Sequence, residues 1–146
     1  MIRIIRVRKR ETIIDPQFVE LFKRAVERSR YPIPWPLMFA DLARRIDHDG
    51  LGVFLAHEKG APRGLVIAIL PDSPLMMAPQ VPLVYSESKQ PALVRALYRA
   101  VTKWLKESGY HSMLSLALRH PPKAWARRFR NLGEFRVVAP LVEVRF

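Results

Sequence analysis

Apolar residues along this chain switch between a period of two and a period of three to four, and the switches mark out its elements. Ile2, Ile4 and Val7 interleave with Arg3, Arg6 and Arg8, with Ile5 adding to the apolar content, which predicts a strand over residues 2–9 with one buried face. Asp15 followed by Pro16 predicts a helix start: the carboxylate accepts from first-turn N–H groups that have no partner, and proline fits a position whose N–H is not needed. Phe18, Leu21, Phe22, Ala25 and Val26 then recur at helical spacing, with Glu20, Lys23, Arg24 and Glu27 on the other side. The prolines of YPIPWP, residues 31–36, stop that helix. A second helix is expected over residues 36–47, with Leu42 and Ile46 inward.

Residues 52–57 and 64–70 read as two apolar strands joined by EKGAPR, a loop long enough for a hairpin, and residues 81–85 as a short strand. From Pro91, the residues Leu93, Val94, Leu97, Val101, Trp104 and Leu105 form a helical stripe that ends at Gly109, a C-terminal cap. Residues 111–118 alternate as a strand. A helix starting near Pro121 and Pro122 is expected to bury Trp125, Phe129 and Leu132 before Gly133, and residues 137–146 close the chain as strand, interrupted at Pro140. The order β-α-α-β-β-β-α-β-α-β implies a mixed α/β sheet with helices on both faces, as a single domain over residues 1–146.

Composition narrows the chemistry. The chain has 146 residues and no cysteine, which excludes disulfides, thiolate metal sites, Fe–S clusters and a cysteine nucleophile. His48, His57, His111 and His120 show no metal-ligand spacing, and DHDG around His48 reads as a polar turn. No G-x-S-x-G or Walker sequence occurs, so a serine hydrolase or P-loop enzyme is not indicated. No apolar run approaches the ~20 residues of a membrane span, and the alternating basic start lacks the continuous apolar block of a secretory signal. A soluble, cytoplasmic protein is expected, or a virion protein if a phage encodes it. The net charge of +12 is spread along the chain and predicts a cationic surface that attracts phosphate or other anions.

Residues 64–133 resemble the GNAT superfamily, the acyl-CoA-dependent N-acetyltransferase fold. LVYSESKQPALVRALYRAVTKWLKESGYHSMLSLAL is similar to that family's strand, phosphate loop, long helix and following strand, and AWARRFRNLGEF to its last helix and the turn beyond. The resemblance implies a mostly antiparallel central sheet and acetyl-CoA as cofactor. It aligns Val84 with a strand valine whose backbone faces the pantetheine arm, and Lys89 with an Arg/Gln position of the pattern V-x-P-x-x-R/Q-x-x-G-x-G/A. Val84, Tyr85, Lys89, Gln90, Ala92 and Arg95 are the implied cofactor-binding residues. Ser86 stands at the pattern's proline, and Ala92 and Val94 at its glycines, where a Cβ restricts positive φ and takes up space near the pyrophosphate. Pro91 removes one N–H from the cradle.

The family often places a Tyr four residues before the glycine of the last helix, as the acid for the departing sulfur. Phe129, or Arg130 one register on, stands there, and neither donates a proton at useful pH. For a general base the carboxylates at hand are Glu58, Asp72 and Glu87. Asp72 is the first choice because it follows a buried strand, and Glu87 is the second, at a loop position where the family often has a solvent-exposed acid.

Arg95, Arg99, Lys103 and Lys106 fall within one arc of about 80° on the long helix, opposite the apolar stripe, and Lys123, Arg127 and Arg130 repeat the pattern on the last helix. These two rows are the candidate anion or nucleic-acid contacts, in competition with the plainer reading of a solvated basic face. Tyr31, Trp35 and Tyr85 are the aromatics left off the core stripes. YPIPWPLMF, with Leu75, Met76 and Met77, holds more apolar surface than loops carry, as the wall of an acceptor pocket or as a contact to a protein partner or a second copy. With both loop glycines and the acid missing, the expectation is a non-catalytic binding or assembly module on a GNAT-like fold. It also resembles small GNAT-like proteins of tailed bacteriophages, some of them virion components. The alternatives are an active acetyl-CoA-dependent N-acetyltransferase on a small-molecule or protein amine, and a basic nucleic-acid-binding protein.

Overall fold

Among the described residues, five strands lie side by side in chain order: β1 (Ile2–Val7), β2 (Leu51–Glu58), β3 (Ala61–Ile69), β4 (Gln80–Ser86) and β5 (Leu114–Ser115). The first four pair antiparallel, and β5 joins β4 in parallel through Gln80–Leu114 and Val81–Ser115. Helices α1 (Arg10–Ile13), α2 (Pro16–Arg28) and α3 (Trp35–Arg45) precede β2, and α4 (Pro91–Glu107) connects β4 to β5. This computed structural model describes residues 1–73 and 78–115. The helix expected after Pro122, the strand over residues 137–146 and the end of the strand over 111–118 lie outside the described residues, as do Leu75, Met76 and Met77.

Both faces of the sheet are covered. On one, Phe18, Leu21, Phe22, Ala25 and Val26 of α2 and Leu42 of α3 pack with Val53, Leu55, Leu65, Ile67, Leu83 and Tyr85. On the other, Leu93, Leu97, Tyr98, Val101, Trp104 and Leu105 of α4 pack with Phe54, Ala56, Val66, Ala68 and Val81. Alternate residues of β2 and β3 serve opposite layers, which is why these strands read as continuous apolar runs. Each fully buried Leu or Phe contributes about 1.5–3 kcal/mol.

The helix starts follow their sequence signals. The Asp15 carboxylate accepts from the Gln17 N–H at 2.8 Å, and Pro16 opens α2. At the far end of α4, Gly109 takes φ +89° just beyond the Ser108 cap, a conformation that costs glycine nothing.

Three details depart from the pattern. Val7 and Ile5 pack with α2 and α3 while Ile2 and Ile4 pack with α4, so β1 has two apolar faces. Arg6 therefore points to the α4 side, where its guanidinium lies over the Trp104 ring at 5.0 Å. The loop expected as EKGAPR shrinks to Lys59 and Gly60, at φ 53° and 79°, because left-handed residues at both positions match the twist of a tight hairpin. Helix α1 has too few residues to show a period.

Two strand irregularities position the loop after β4. Opposite Ala56 and His57, β3 carries one extra residue, so Arg63 sits in a bulge next to Pro62. Opposite Ile67 to Ile69, β4 carries one extra residue around Val81 and Pro82. That insertion reverses the alternation: Val81 and Val84 face α4, whereas Leu83 and Tyr85 face α2 and α3.

Candidate functional site

Strand β4 leads through residues 87–90 into the first turn of α4, and its own side chains and its neighbours hold this loop. The Glu87 N–H donates to the bulged Arg63 carbonyl at 2.7 Å. The Ser86 hydroxyl accepts from the Ser88 N–H at 3.1 Å, and the Ser88 hydroxyl accepts from the Gln90 N–H at 3.0 Å while donating to Glu58 at 3.1 Å. Gln90 is the N-cap of α4 and caps nothing with its side chain. The N–H groups of Lys89 and Ala92 enter none of these bonds, and Lys89, Gln90, Ala92 and Arg95 are exposed around them. An uncapped helix start flanked by two cations favours an anion.

Ala92 and Val94 lie inside α4, and the described non-glycine residues with positive φ are Arg30 and Lys59. The backbone at the two glycine positions is thus ordinary helix, and the strain expected from side chains there does not arise. Val94 packs against the α4 core, and Ala92 brings one methyl to the surface.

Glu87 is not the solvent-exposed acid expected from sequence. Its side chain is 14% exposed and clamps the loop to α2. Arg24 grips it through Nε at 2.9 Å and Nη2 at 2.7 Å, a two-point guanidinium–carboxylate pair. Arg28 Nη1 stands 3.7 Å away and donates to the Tyr85 hydroxyl at 3.0 Å. Burial pushes the Glu87 carboxyl up, but the hydrogen bond and charge of Arg24, with Arg28 and Tyr85 behind them, outweigh it and hold the group below the ordinary glutamate range. Both oxygens are engaged, which leaves Glu87 poorly placed to take a proton from a substrate.

Beside β4, on the α2 and α3 side, is a cavity of about 690 Å³. Phe22, Leu42, Leu51, Ile67 and Leu83 line its floor, Ile33 and Leu37 lie towards solvent, and Asp72 and Tyr110 also line it. Tyr31, Ile33, Leu37 and Met38 of YPIPWPLMF thus line a cavity whose depth comes from the sheet.

The remaining expected residues are placed as follows. Val84 is half-buried beside the loop, and Asp72 is exposed. Tyr85 is buried, and Tyr31 and Trp35 are half-buried against the core. Arg95, Arg99, Lys103 and Lys106 form the expected exposed row, with Lys103 4.0 Å from Glu107. Lys123, Arg127, Arg130 and Phe129 lie outside the described residues. Among the described residues there is no cluster of three metal-ligating side chains and no helix long and apolar enough to cross a membrane. Sequence reading missed Arg24, Arg28 and Ser88. The one available signal was two arginines a turn apart on α2.

No protein-family model and no curated protein matches this sequence. Solved structures do. A predicted acetyltransferase from Clostridium acetobutylicum, crystallised with acetyl-CoA, superposes over 99% of this chain and 96% of its own, with a TM-score of 0.72 at 13% identity. The chain has the GNAT fold. AAC(6')-Iy, solved with a CoA bisubstrate analog, matches this GNAT-fold chain over 100% of its length and 98% of its own, at TM-score 0.67 and 19% identity. A ribosomal-protein-alanine N-acetyltransferase from Brucella melitensis covers 100% and 98%, at TM-score 0.62 and 16% identity. The resemblance read from residues 64–133 thus extends over the whole chain.

Proposed function

We propose that this GNAT-fold protein is an acetyl-CoA-dependent N-acetyltransferase acting on an amine held in the cavity beside β4. One observation carries the reading: β4 runs from the cavity wall at Pro82 and Leu83, through Val84, directly to a loop and helix start with open N–H groups at Lys89 and Ala92. A pocket for an acceptor and a site for an anionic carrier therefore share one strand. The full-length likeness to acetyltransferases supports it.

The residues present suit the cofactor, since the first turn of α4 is uncapped and needs no glycine conformation. Acetyl-CoA, when bound, supplies the acetyl thioester. Lys89, Arg95 and the Ala92 N–H would offset the phosphate charge, and the backbone of Val84 would face the pantetheine arm. Asp72 would accept one proton from the incoming ammonium group and so free the nitrogen lone pair for acylation, and the second N–H proton released as the amide forms is the one the departing thiolate would take.

Isothermal titration with acetyl-CoA is the test. Binding tighter than about 1 mM, or about −4 kcal/mol, is expected, weakened at least tenfold in Lys89→Glu/Arg95→Glu. No heat at millimolar acetyl-CoA would remove the reading.

A second reading, a non-catalytic binding or assembly module, is favoured by the Ser86 and Ser88 hydroxyls, which already occupy two loop N–H groups. Its partner would meet the row Arg95, Arg99, Lys103 and Lys106. For a nucleic acid, duplex binding should then fall by orders of magnitude between about 50 and 200 mM salt and vanish in Arg95→Glu/Arg99→Glu, as measured by fluorescence anisotropy. Salt-independent binding would exclude that partner.

A further inference from the structure

We infer that the cavity beside β4 selects a monoamine on an apolar body, an alkyl- or arylalkylamine, and rejects polyhydroxylated polyamines. The inference rests on the acetyltransferase reading for the fate of the amine, but not for its binding.

Charge accounting around the cavity carries it. Three carboxylates line the space: Asp41, Asp49 and Asp72. Asp41 is held by Arg44 and, at 3.1 Å, by Arg45, whose bonds and charges outweigh burial and lower its pKa. Asp49 is paired with Arg8 at 2.9 Å. Asp72 alone among them has no ion-pair partner among the described residues, so it is the carboxylate left to meet one ammonium group. Arg45, also at the lining, opposes a second cation.

The walls set the rest of the ligand. Phe22, Leu42, Leu51, Ile67 and Leu83 are each at most 7% exposed and present no hydrogen-bonding group. A sugar hydroxyl moved from water against this floor loses its hydrogen bonds without replacement, whereas an alkyl chain or aryl ring gains, and the hydrogen-bonding side chains of the lining, Tyr31, His48 and Tyr110 among them, are not part of that floor. Ile33 and Leu37, 47% and 65% exposed, extend the apolar path to the surface. The volume of about 690 Å³ is that of a small-molecule site. AAC(6')-Iy, solved with an acetylneamine conjugate, shares the fold, and the chemistry of this lining argues against such an acceptor here.

The test measures binding to the full chain without acetyl-CoA. By titration calorimetry, octylamine and tryptamine are expected to bind at least tenfold tighter than octanoate and than neamine. Asp72→Asn should weaken both amines about tenfold, and Leu37→Glu should weaken them through the apolar path. Both substituted positions are exposed, so both variants should fold, as circular dichroism checks. Equal affinity for octylamine and octanoate, preference for neamine, or indifference to Asp72→Asn would overturn the inference. Amine binding with no acetyl-CoA binding supports the pocket assignment while removing the acetyltransferase reading. Acetylation of neamine but not of tryptamine, read by mass spectrometry, keeps that reading and overturns the pocket assignment.

Discussion

Gly64→Ala is expected to destabilise the protein by about 2–3 kcal/mol, a fall in melting temperature of roughly 6–10 °C. A Cβ at Gly64 would lie 2.5 Å from Leu93 Cδ2, 2.9 Å from the Tyr85 carbonyl oxygen and 3.3 Å from Leu97 Cδ1. Leu93 and Leu97 are fully buried under α4, and the carbonyl belongs to the neighbouring strand, so no flexible side-chain end can swing clear. Relief requires α4 to lift from the sheet or β4 to shift. Either movement displaces the loop between them, so acetyl-CoA affinity should fall with stability. Gly50→Ala is the control: its nearest neighbour would be Leu70 Cβ at 3.9 Å, an ordinary contact, and its effect should stay within about 0.5 kcal/mol. Equal melting temperatures for the two variants, measured calorimetrically, would show that α4 does not rest on Gly64.

Arg24→Ala should cost about 2 kcal/mol, more than Glu87→Gln. Breaking a buried ion pair by removing one partner leaves an unpaired charge and costs about 3–5 kcal/mol, but Arg24 is 36% exposed, so water takes up part of the loss. Arg28 at 3.7 Å and the Tyr85 hydroxyl at 3.4 Å remain as weaker partners. In the double variant the orphaned charge is gone, so the two effects should not add, and a coupling of about 1–2 kcal/mol is expected. The pair also sets an acid limit. Because the folded Glu87 pKa is lowered, its stabilisation is complete above the unfolded-state value of about 4.3 and is lost as pH falls through the folded value. Melting temperature should therefore drop more steeply below about pH 4 in the parent chain than in Glu87→Gln. Parallel curves would show that the pair does not bind the loop to α2.

How much could be read beforehand depended on how local the cause was. The cap at Asp15, the start at Pro16, the stripe from Leu93 to Leu105 and the stop at Gly109 each depend on residues within a turn or two, and each stands where expected. The two bulges do not. One extra residue in a strand is visible only against its partner, so the face reversal in β4 and the Arg63 carbonyl that receives the Glu87 N–H had no signature in the chain. For the same reason Glu87 read as a solvent-facing acid: its partner Arg24 is 63 residues away. The expectation of backbone strain in the cofactor loop came from residue types alone, whereas backbone conformation decides whether an alanine is strained, and at Ala92 it is helical.

By itself, then, the order of residues determined the described elements other than α1, the two-layer covering of the sheet and the resemblance that placed Val84 and Lys89 near a helix start, because periodicity and capping act over a few residues. Only the tertiary structure decided which carboxylates are neutralised, which face each β4 side chain meets and that a cavity opens beside that strand. Those properties belong to groups brought together from distant parts of the chain, and the energy of an ion pair or a cavity wall depends on what lies opposite in space.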